Sequence, residues 1–430
     1  MSKNNRLALV GSLLCVMLSL INSVGFSQAS VNSPYSRFGM GDLATRKATY
    51  NFSMGGVANA IYSPQYVNPF NPAANAGIDT LSFIFSGGLI SKFGTLSTEN
   101  GSSPSNFASL GYLLFGFPVT RYIKSSIGLT PYSNVGYKVI ASEIVPEVGK
   151  TDYYFEGSGG SNEFFLSTSI EPIKNLSVGV KASYLFGKSQ RSQVVFFPDS
   201  VGYINTRIDN QVDLGDFYFD FGAQFHKPLS NGMTLGFGGI YAPSQKIKSI
   251  RNYISRAYFP TAIGVESYRD TIEMQLDTKG SVTIPDKYGV GLMLKNKDKW
   301  LVAADFNWQY WSKFEAFGVK DSLTNTFQFS MGGEYLPSDR SIDTYWKKIK
   351  YRAGFNFNQT YLNLQNTQIN EFGISFGMGL PIPRSFSTLN LGFELGRRGT
   401  TTSNLIQENY IKINVGVSIW ERWFVKKRYY

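Results

Sequence analysis

The sequence predicts an all-β protein, specifically a transmembrane antiparallel β-barrel of about fourteen strands. Three observations predict this fold. Apolar residues recur at every second position in segment after segment, as in 411–419, so each strand has one apolar and one polar face. Charged residues make up only 17% and aromatic residues 15% of the chain, which is typical of a β-protein that contacts lipid. Beyond the N-terminus, no run of about 20 apolar residues predicts a spanning helix.

The N-terminus, residues 1–27, is predicted to be a cleaved signal peptide. Lys3 and Arg6 supply its positive start, and an apolar stretch covers residues 7–21. Gly25 and Ser27 are the small residues expected just before a cleavage site. An exported chain that spans a bilayer without helices must close its sheet, because every backbone polar group in hydrocarbon needs a partner. We therefore expect a barrel in the outer membrane of a Gram-negative bacterium.

Residues 28–78 are predicted to form an irregular N-terminal segment, and residues 79–430 the barrel. Glycine, proline and asparagine interrupt 33–42 and 68–73 too often for a long strand. A short helix is expected around 45–52.

The strands are predicted from the alternation of apolar and polar residues along the chain. Strongly apolar faces are predicted for residues 372–380, 389–395, 176–184, 217–225, 300–308 and 235–241. Short turns are expected at 121–124, 173–175, 228–232, 296–299 and 381–384, with longer, polar loops such as 92–106 and 141–163 at the opposite end. An even strand number with this asymmetry is typical of exported bacterial barrels and predicts that both termini are periplasmic. Trp300, Trp308 and Trp311 are spaced as expected for two interfacial aromatic girdles.

Residue patterns give little support for an enzyme. The only histidine is His226, so a hydrolase would have to use it as its base. The only cysteine, Cys15, lies in the predicted signal peptide, and Leu14 before it argues against lipid attachment. No metal site or cofactor is predicted, since the spacing of the aspartates in 209–216 departs from a calcium loop. The formal net charge of +11 is attributed to periplasmic ends and contacts with anionic outer-membrane lipid and lipopolysaccharide, rather than to nucleic acid.

Several segments resemble the FadL-like family of outer-membrane transporters for long-chain fatty acids and aromatic hydrocarbons. These are 54–60 followed by 71–77, then 284–291 with 300–311, and finally 351–357. The resemblance extends over nearly the whole mature chain. It implies a fourteen-stranded barrel whose N-terminus plugs the lumen, with residues 28–78 as an N-terminal hatch segment in the lumen.

The resemblance also implies candidate site residues. Asn71, Pro72 and Ala73 match the Asn-Pro-Ala motif of the family's hatch. Gly128, Pro131 and Gly136 lie on the predicted third strand, which in this family is kinked to open a side exit from the lumen into the bilayer. Proline cannot donate to a strand ladder, so an ordinary bulge without an opening explains the same residues.

Two functions remain open at the level of sequence. The first is passive transport of a small hydrophobic, fatty-acid-like compound across the outer membrane. The alternative is a non-transporting partner or scaffold barrel of a secretion complex, such as type 9 secretion, or of a membrane-protein assembly complex. The aromatic and basic tail 423–430 would then be a docking element or simply complete the barrel.

Overall fold

The computed structural model describes residues 33–422 except 45–47, 100, 200–202, 261–265, 298, 339, 341–342 and 384. The predicted signal peptide and the tail 423–430 lie outside the described residues, as does part of the helix expected around 45–52.

Fourteen long antiparallel strands form the wall in the described part of the chain. Two of them are interrupted: β7 consists of Met233–Ala242 and Gln245–Pro260, and β8 of Glu266–Ile284 and Lys287–Asn296. The other strands are β1 Ser82–Thr98, β2 Gly101–Pro118, β3 Ile123–Val145, β4 Gly149–Ile173, β5 Leu176–Phe196, β6 Asn205–Pro228, β9 Trp300–Gln309, β10 Thr326–Tyr335, β11 Lys350–Leu364, β12 Thr367–Pro381, β13 Thr388–Arg398 and β14 Gln407–Arg422.

The sheet closes on itself through β14 and β1. Their register runs from Gln407 opposite Ser97 to Arg422 opposite Ser82. Closure removes both edges of the sheet, which satisfies the backbone within the bilayer. The end of the barrel that contains Ser82 and Arg422 is called the turn end, and the opposite end the far end.

The two faces of the wall reverse the arrangement of a water-soluble barrel. On β12, outward Phe376 is 52% exposed, whereas inward Ser375 is 0% exposed. On β6, outward Phe217 is exposed while inward Asp220 is buried. Because apolar side chains cover the outside and polar side chains line the inside, the predicted alternation is confirmed and the barrel is of the transmembrane type.

The connections at the turn end are short, as predicted, apart from the longer 336–349. The prediction of long loops at 92–106 and 141–163 is wrong. β1 continues to Thr98 before a tight turn, and β3 continues to Val145 before β4 begins at Gly149. These hairpins extend beyond the apolar belt, where both faces meet water, so their sequence is polar although their backbone is extended.

Short helices occupy the remaining segments: Pro34–Arg37, Thr49–Phe52, Pro72–Gly77, Ser230–Gly232, Trp311–Lys313, Tyr345–Lys348 and Thr402–Asn404. None of the helices in the described ranges is long and apolar enough to cross a membrane. The placement of Trp311 in an aromatic girdle is wrong. Its side chain is fully buried, 4.9 Å from the ring of Tyr361, because the chain leaves β9 and turns inward as a helical turn.

Candidate functional site

The lumen contains the N-terminal segment, defined as the described residues of 33–78. Near the far end, the backbone N–H of Ser33 donates to the carbonyl of Gly136 on β3 at 3.1 Å. At the turn end, the Lys124 ammonium donates to the carbonyl of Ile78 at 2.6 Å. Between these points the segment contacts inward side chains of strands all around the wall. It therefore runs through the barrel from one end towards the other, and β1 begins just after it, at Ser82.

Inward glycines make room for this segment. A Cβ atom added at Gly332 would lie 2.8 Å from Met54 Cα, one at Gly291 would lie 2.7 Å from Asn59 Cβ, and one at Gly179 would lie 2.6 Å from the Pro72 carbonyl carbon. Such distances are too short for any side chain. Further wall glycines with contacts of this kind are Gly222, Gly238, Gly354, Gly377, Gly392 and Gly416. The inward face of the wall, with its small residues, is therefore a surface against which the N-terminal segment packs. This surface of inward glycines is called the seat.

The predicted hatch residues lie on that seat. The Asn71 side chain accepts a hydrogen bond from the Ala73 backbone N–H at 3.0 Å, which caps the helical turn Pro72–Gly77. The Asn71 amide also donates to the carbonyl of Asn59 at 2.6 Å, which joins two parts of the segment. Pro72 and the following turn pack against the glycines of β5 and β6. The structure therefore brings all three motif residues to the segment–wall contact; their role as a hatch stays a prediction.

A buried carboxylate holds the middle of the segment. Asp305 on β9 is 2% exposed and accepts the backbone N–H groups of Ala58 at 2.6 Å and Asn59 at 2.9 Å. The Asn59 side chain in turn donates to Asn307 at 2.9 Å. Both backbone donors share one buried carboxyl oxygen, so removal of this acceptor would leave two N–H groups unsatisfied inside the lumen, which makes the contact an attachment point.

A second contact lies nearer the turn end. Tyr50 and Tyr66 of the segment stack with ring centroids 4.3 Å apart, and the Arg352 guanidinium lies 4.7 Å from the Tyr50 ring. Arg352 Nε also donates to Glu334 at 2.7 Å. The arginine on β11 therefore has its charge balanced by a carboxylate while its flat face contacts the segment.

A third contact lies towards the far end. Arg398 on β13 forms an ion pair with Asp42 at 2.8 Å. The Ser33 hydroxyl donates to Glu408, whose other oxygen pairs with Lys92 at 3.0 Å. Burial raises the pKa of Tyr35 to about 12, so its phenol remains protonated and donates to the carbonyl of Ile406. Sequence patterns did not identify these charged partners, because each pair is separated by hundreds of residues.

The wall separates between β2 and β3. These neighbours pair only from Leu113–Leu129 to Pro118–Lys124. Beyond this point β3 pairs with β4 and, on its other edge, with the two-residue strand Asp42–Leu43 of the N-terminal segment. The N-terminal segment therefore supplies backbone partners where β2 does not.

The predicted exit residues lie at different places along this strand. Gly128 lies in the paired part, where an added Cβ would meet Leu114 at 2.7 Å, so it is a site of close packing. Pro131 lies beside a register shift between β3 and β4. The Gly136 N–H donates to the Ser36 hydroxyl at 3.1 Å. The bulge is present, and the role of the three residues in a lateral exit stays a prediction.

The lumen cavity beside the segment has a mixed lining. It has a volume of about 180 Å³. Its charged lining residues include Asp42, Glu371, Arg398 and Lys412, with Lys412 3.2 Å from Glu371, and apolar side chains such as that of Phe70 line it as well. Charged and apolar groups therefore share a small space.

His226 also contacts the N-terminal segment. Its Nε2 lies 3.1 Å from the carbonyl of Ala60, and its ring centroid lies 3.9 Å from that of Tyr62. Within the described ranges, no group of three or more His, Cys, Asp or Glu side chains could hold a metal ion.

The fold and this filled lumen define a class: fourteen-stranded transmembrane barrels of the FadL-like type with an N-terminal segment inside. The chain belongs to the BamG family, whose family model matches residues 9–430. No curated protein matches the chain in sequence.

Solved structures show the same fold. A FadL homologue of Pseudomonas aeruginosa is 14% identical with a TM-score of 0.57, covering 88% of this chain and 98% of its own. The Pseudomonas putida toluene transporter TodX is 15% identical with a TM-score of 0.56, covering 90% and 100%. The Ralstonia pickettii toluene transporter TbuX is 13% identical with a TM-score of 0.55, covering 86% and 97%. The expected FadL-like architecture is thereby confirmed at the level of fold.

Proposed function

We propose that the protein is a closed partner barrel that acts as a scaffold in an outer-membrane complex. The observation that carries this proposal is the filling of the lumen. The N-terminal segment lies along the barrel and is held by Asp305, Arg352 and Arg398 at three levels. A barrel whose interior is occupied and is joined to its wall by hydrogen bonds, a cation–π contact and an ion pair is a rigid body with an outer surface and two ends available for other proteins.

The chemistry of the lumen supports this choice over conduction. A hydrophobic compound gains about 25 cal/mol for each Å² of apolar surface that leaves water, and it gains this only against apolar walls. The cavity beside the segment is instead small, about 180 Å³, and has the charged groups of Asp42, Glu371, Arg398 and Lys412 among its lining residues. Known ligand pockets for small molecules have about 300–1,000 Å³ and mostly apolar walls.

We place this barrel in the outer membrane. The exposed apolar outer face and the closed sheet suit a bilayer, and the signal peptide predicted for residues 1–27 fits export. Outer-membrane lipid and lipopolysaccharide would then surround the apolar belt, and the turn end would face the periplasm.

Passive transport of a hydrophobic compound is the second candidate. The observation that favours it is the separation of β2 and β3 beyond Leu113–Leu129, together with the bulge beside Pro131. The fold likeness to proteins described as toluene transporters points the same way. Transport would require the Asn71–Ala73 region to leave its seat and Asp42–Leu43 to separate from β3.

Two measurements on the purified protein distinguish these functions. We expect proteoliposomes containing the barrel to pass labelled fatty acid and toluene no faster than empty liposomes. We also expect affinity purification of the tagged protein from native membranes to retain other proteins at a fixed ratio. Flux of either probe well above that of empty liposomes, with no retained protein, would overturn the scaffold proposal in favour of transport.

A further inference from the structure

A basin opens at the turn end of the lumen. Its volume is about 430 Å³, which falls in the range of binding pockets. Its floor is formed by the N-terminal segment, including Tyr62 and Tyr66. Its walls come from the ends of β8 and β11, the strand end at Trp300 and the neighbouring connections.

The basin is basic. Four lysines line it: Lys295, Lys297, Lys348 and Lys350. Among its described lining residues the carboxylate is that of Glu334, which pairs with the Arg352 guanidinium at 2.7 Å and lies 4.0 Å from the Lys350 ammonium. By formal charge the lysines outnumber this carboxylate, and an excess of positive charge in a concave site attracts an anionic group.

The basin also offers aromatic surface. The Lys350 ammonium lies 5.5 Å from the Tyr66 ring and donates to Gln65 at 3.1 Å. The tyrosines and Trp300 give apolar contact area beside the ammonium groups. Arginine-rich or lysine-rich sites with aromatic neighbours recognise acidic segments that also carry an apolar side chain, because charge and contact area are supplied together.

The position of the lysines favours a peptide over lipid. Lys350 occupies an inward position on β11, in step with buried Arg352, while Tyr351 between them points outward. Headgroups of the surrounding bilayer meet the outer face of the wall. The basin is entered through the open turn end, from the aqueous side.

We propose that this basin binds an acidic peptide segment of a protein partner that approaches the turn end. The inference rests on the proposed scaffold function and identifies where and by which chemistry a partner is held. Carboxylates of the segment contact the lysines, and an apolar side chain packs against the tyrosines on the floor.

The test uses the full-length barrel in detergent and a fluorescein-labelled octapeptide rich in Asp and Glu with one Phe. We expect saturable binding by fluorescence anisotropy that weakens as NaCl rises from 50 to 300 mM. The double variant K297E/K348E should weaken binding at least tenfold, and the neutral variant K297Q/K348Q should weaken it by a smaller factor. The matched control K174E/K227E makes the same charge change at turn-end sites outside the basin and should change binding less than twofold.

Each other outcome has a defined meaning. Equal weakening in the basin and control variants would show attraction to overall charge and would overturn the site. Displacement of the peptide by phosphatidylglycerol nanodiscs, with no salt-dependent peptide specificity, would identify lipid as the occupant and also overturn it. Absence of peptide binding by the folded wild-type protein, while partner proteins still co-purify from membranes, would overturn the basin and leave the scaffold function standing. If no protein co-purifies and hydrophobic probes cross, the scaffold function itself fails.

Discussion

Removal of the Asp305 carboxylate should release the middle of the N-terminal segment. In the wild type, two backbone N–H groups, those of Ala58 and Asn59, donate to this buried acceptor at 2.6 and 2.9 Å. Asp305→Ala leaves both donors without a charged acceptor, at a cost of about 1–3 kcal/mol for each. A combined loss near 3 kcal/mol corresponds to roughly a 150-fold increase in local opening, since each 1.4 kcal/mol is a factor of ten.

Hydrogen exchange with mass spectrometry measures this opening. We expect peptides covering 54–60 to exchange about 100-fold faster in Asp305→Ala, with a smaller increase in Asp305→Asn, while peptides from β12 stay protected. Asp220→Asn is the matched control, because this inward carboxylate is also buried but pairs with Lys181 of the wall at 2.6 Å. Unchanged exchange at 54–60 in both Asp305 variants, or an equal increase in the control, would refute the assignment of Asp305 as an attachment point.

Three further substitutions test the wall and its seat. Phe376→Arg on the outer belt should make folding into bilayers less favourable by about 2–4 kcal/mol if the site lies near the midplane, measured by urea titration in liposomes. Arg352→Met leaves the largely buried Glu334 with only the Lys350 ammonium, 4.0 Å away, as its cation and should cost up to about 3–5 kcal/mol, read from the same titration. Gly332→Val places carbon where Met54 lies and should expose the N-terminal segment to protease without preventing barrel insertion.

Matched controls separate these effects from general damage. Thr271→Arg on an exposed far-end hairpin should leave insertion unchanged. Lys138→Met removes an exposed ion pair with Glu156 and should cost less than about 1 kcal/mol. Gly239→Ala adds a Cβ with no neighbour closer than 4.0 Å and should leave the segment protected. If a control variant gave the same result as its test variant, the physical argument for that test variant would be contradicted.

The wall was predictable because strand periodicity is local. Residues 372–380 display their outward and inward faces in the sequence itself, and repetition of that pattern gives both strand number and closure. The polar hairpins of β1–β2 and β3–β4 were missed for the same reason: once a strand leaves the bilayer, lipid no longer imposes the alternation. The break in β7 near 243–244 was likewise not evident from the pattern.

The filling of the lumen was only partly predictable. The resemblance carried by Asn71, Pro72 and Ala73 pointed to residues that lie against the inward glycines, and those glycines were visible as an alternating set. The hydrogen-bond partners across the lumen could not be identified from the sequence. Asp305 accepts from Ala58 only after folding brings together two residues that are 247 positions apart in the chain.

The sequence by itself determined a closed, lipid-facing cylinder, because two-residue alternation fixes which side chains meet hydrocarbon and the bilayer requires every backbone group to be paired. Only the tertiary structure decided what lies inside. Register across the strands places Arg352, Arg398 and Asp305 at three heights around one segment, and a pattern along the chain cannot specify distances across a lumen. The basic basin at the turn end arises in the same way, from lysines that two separate stretches of the chain, 295–297 and 348–350, bring to one opening.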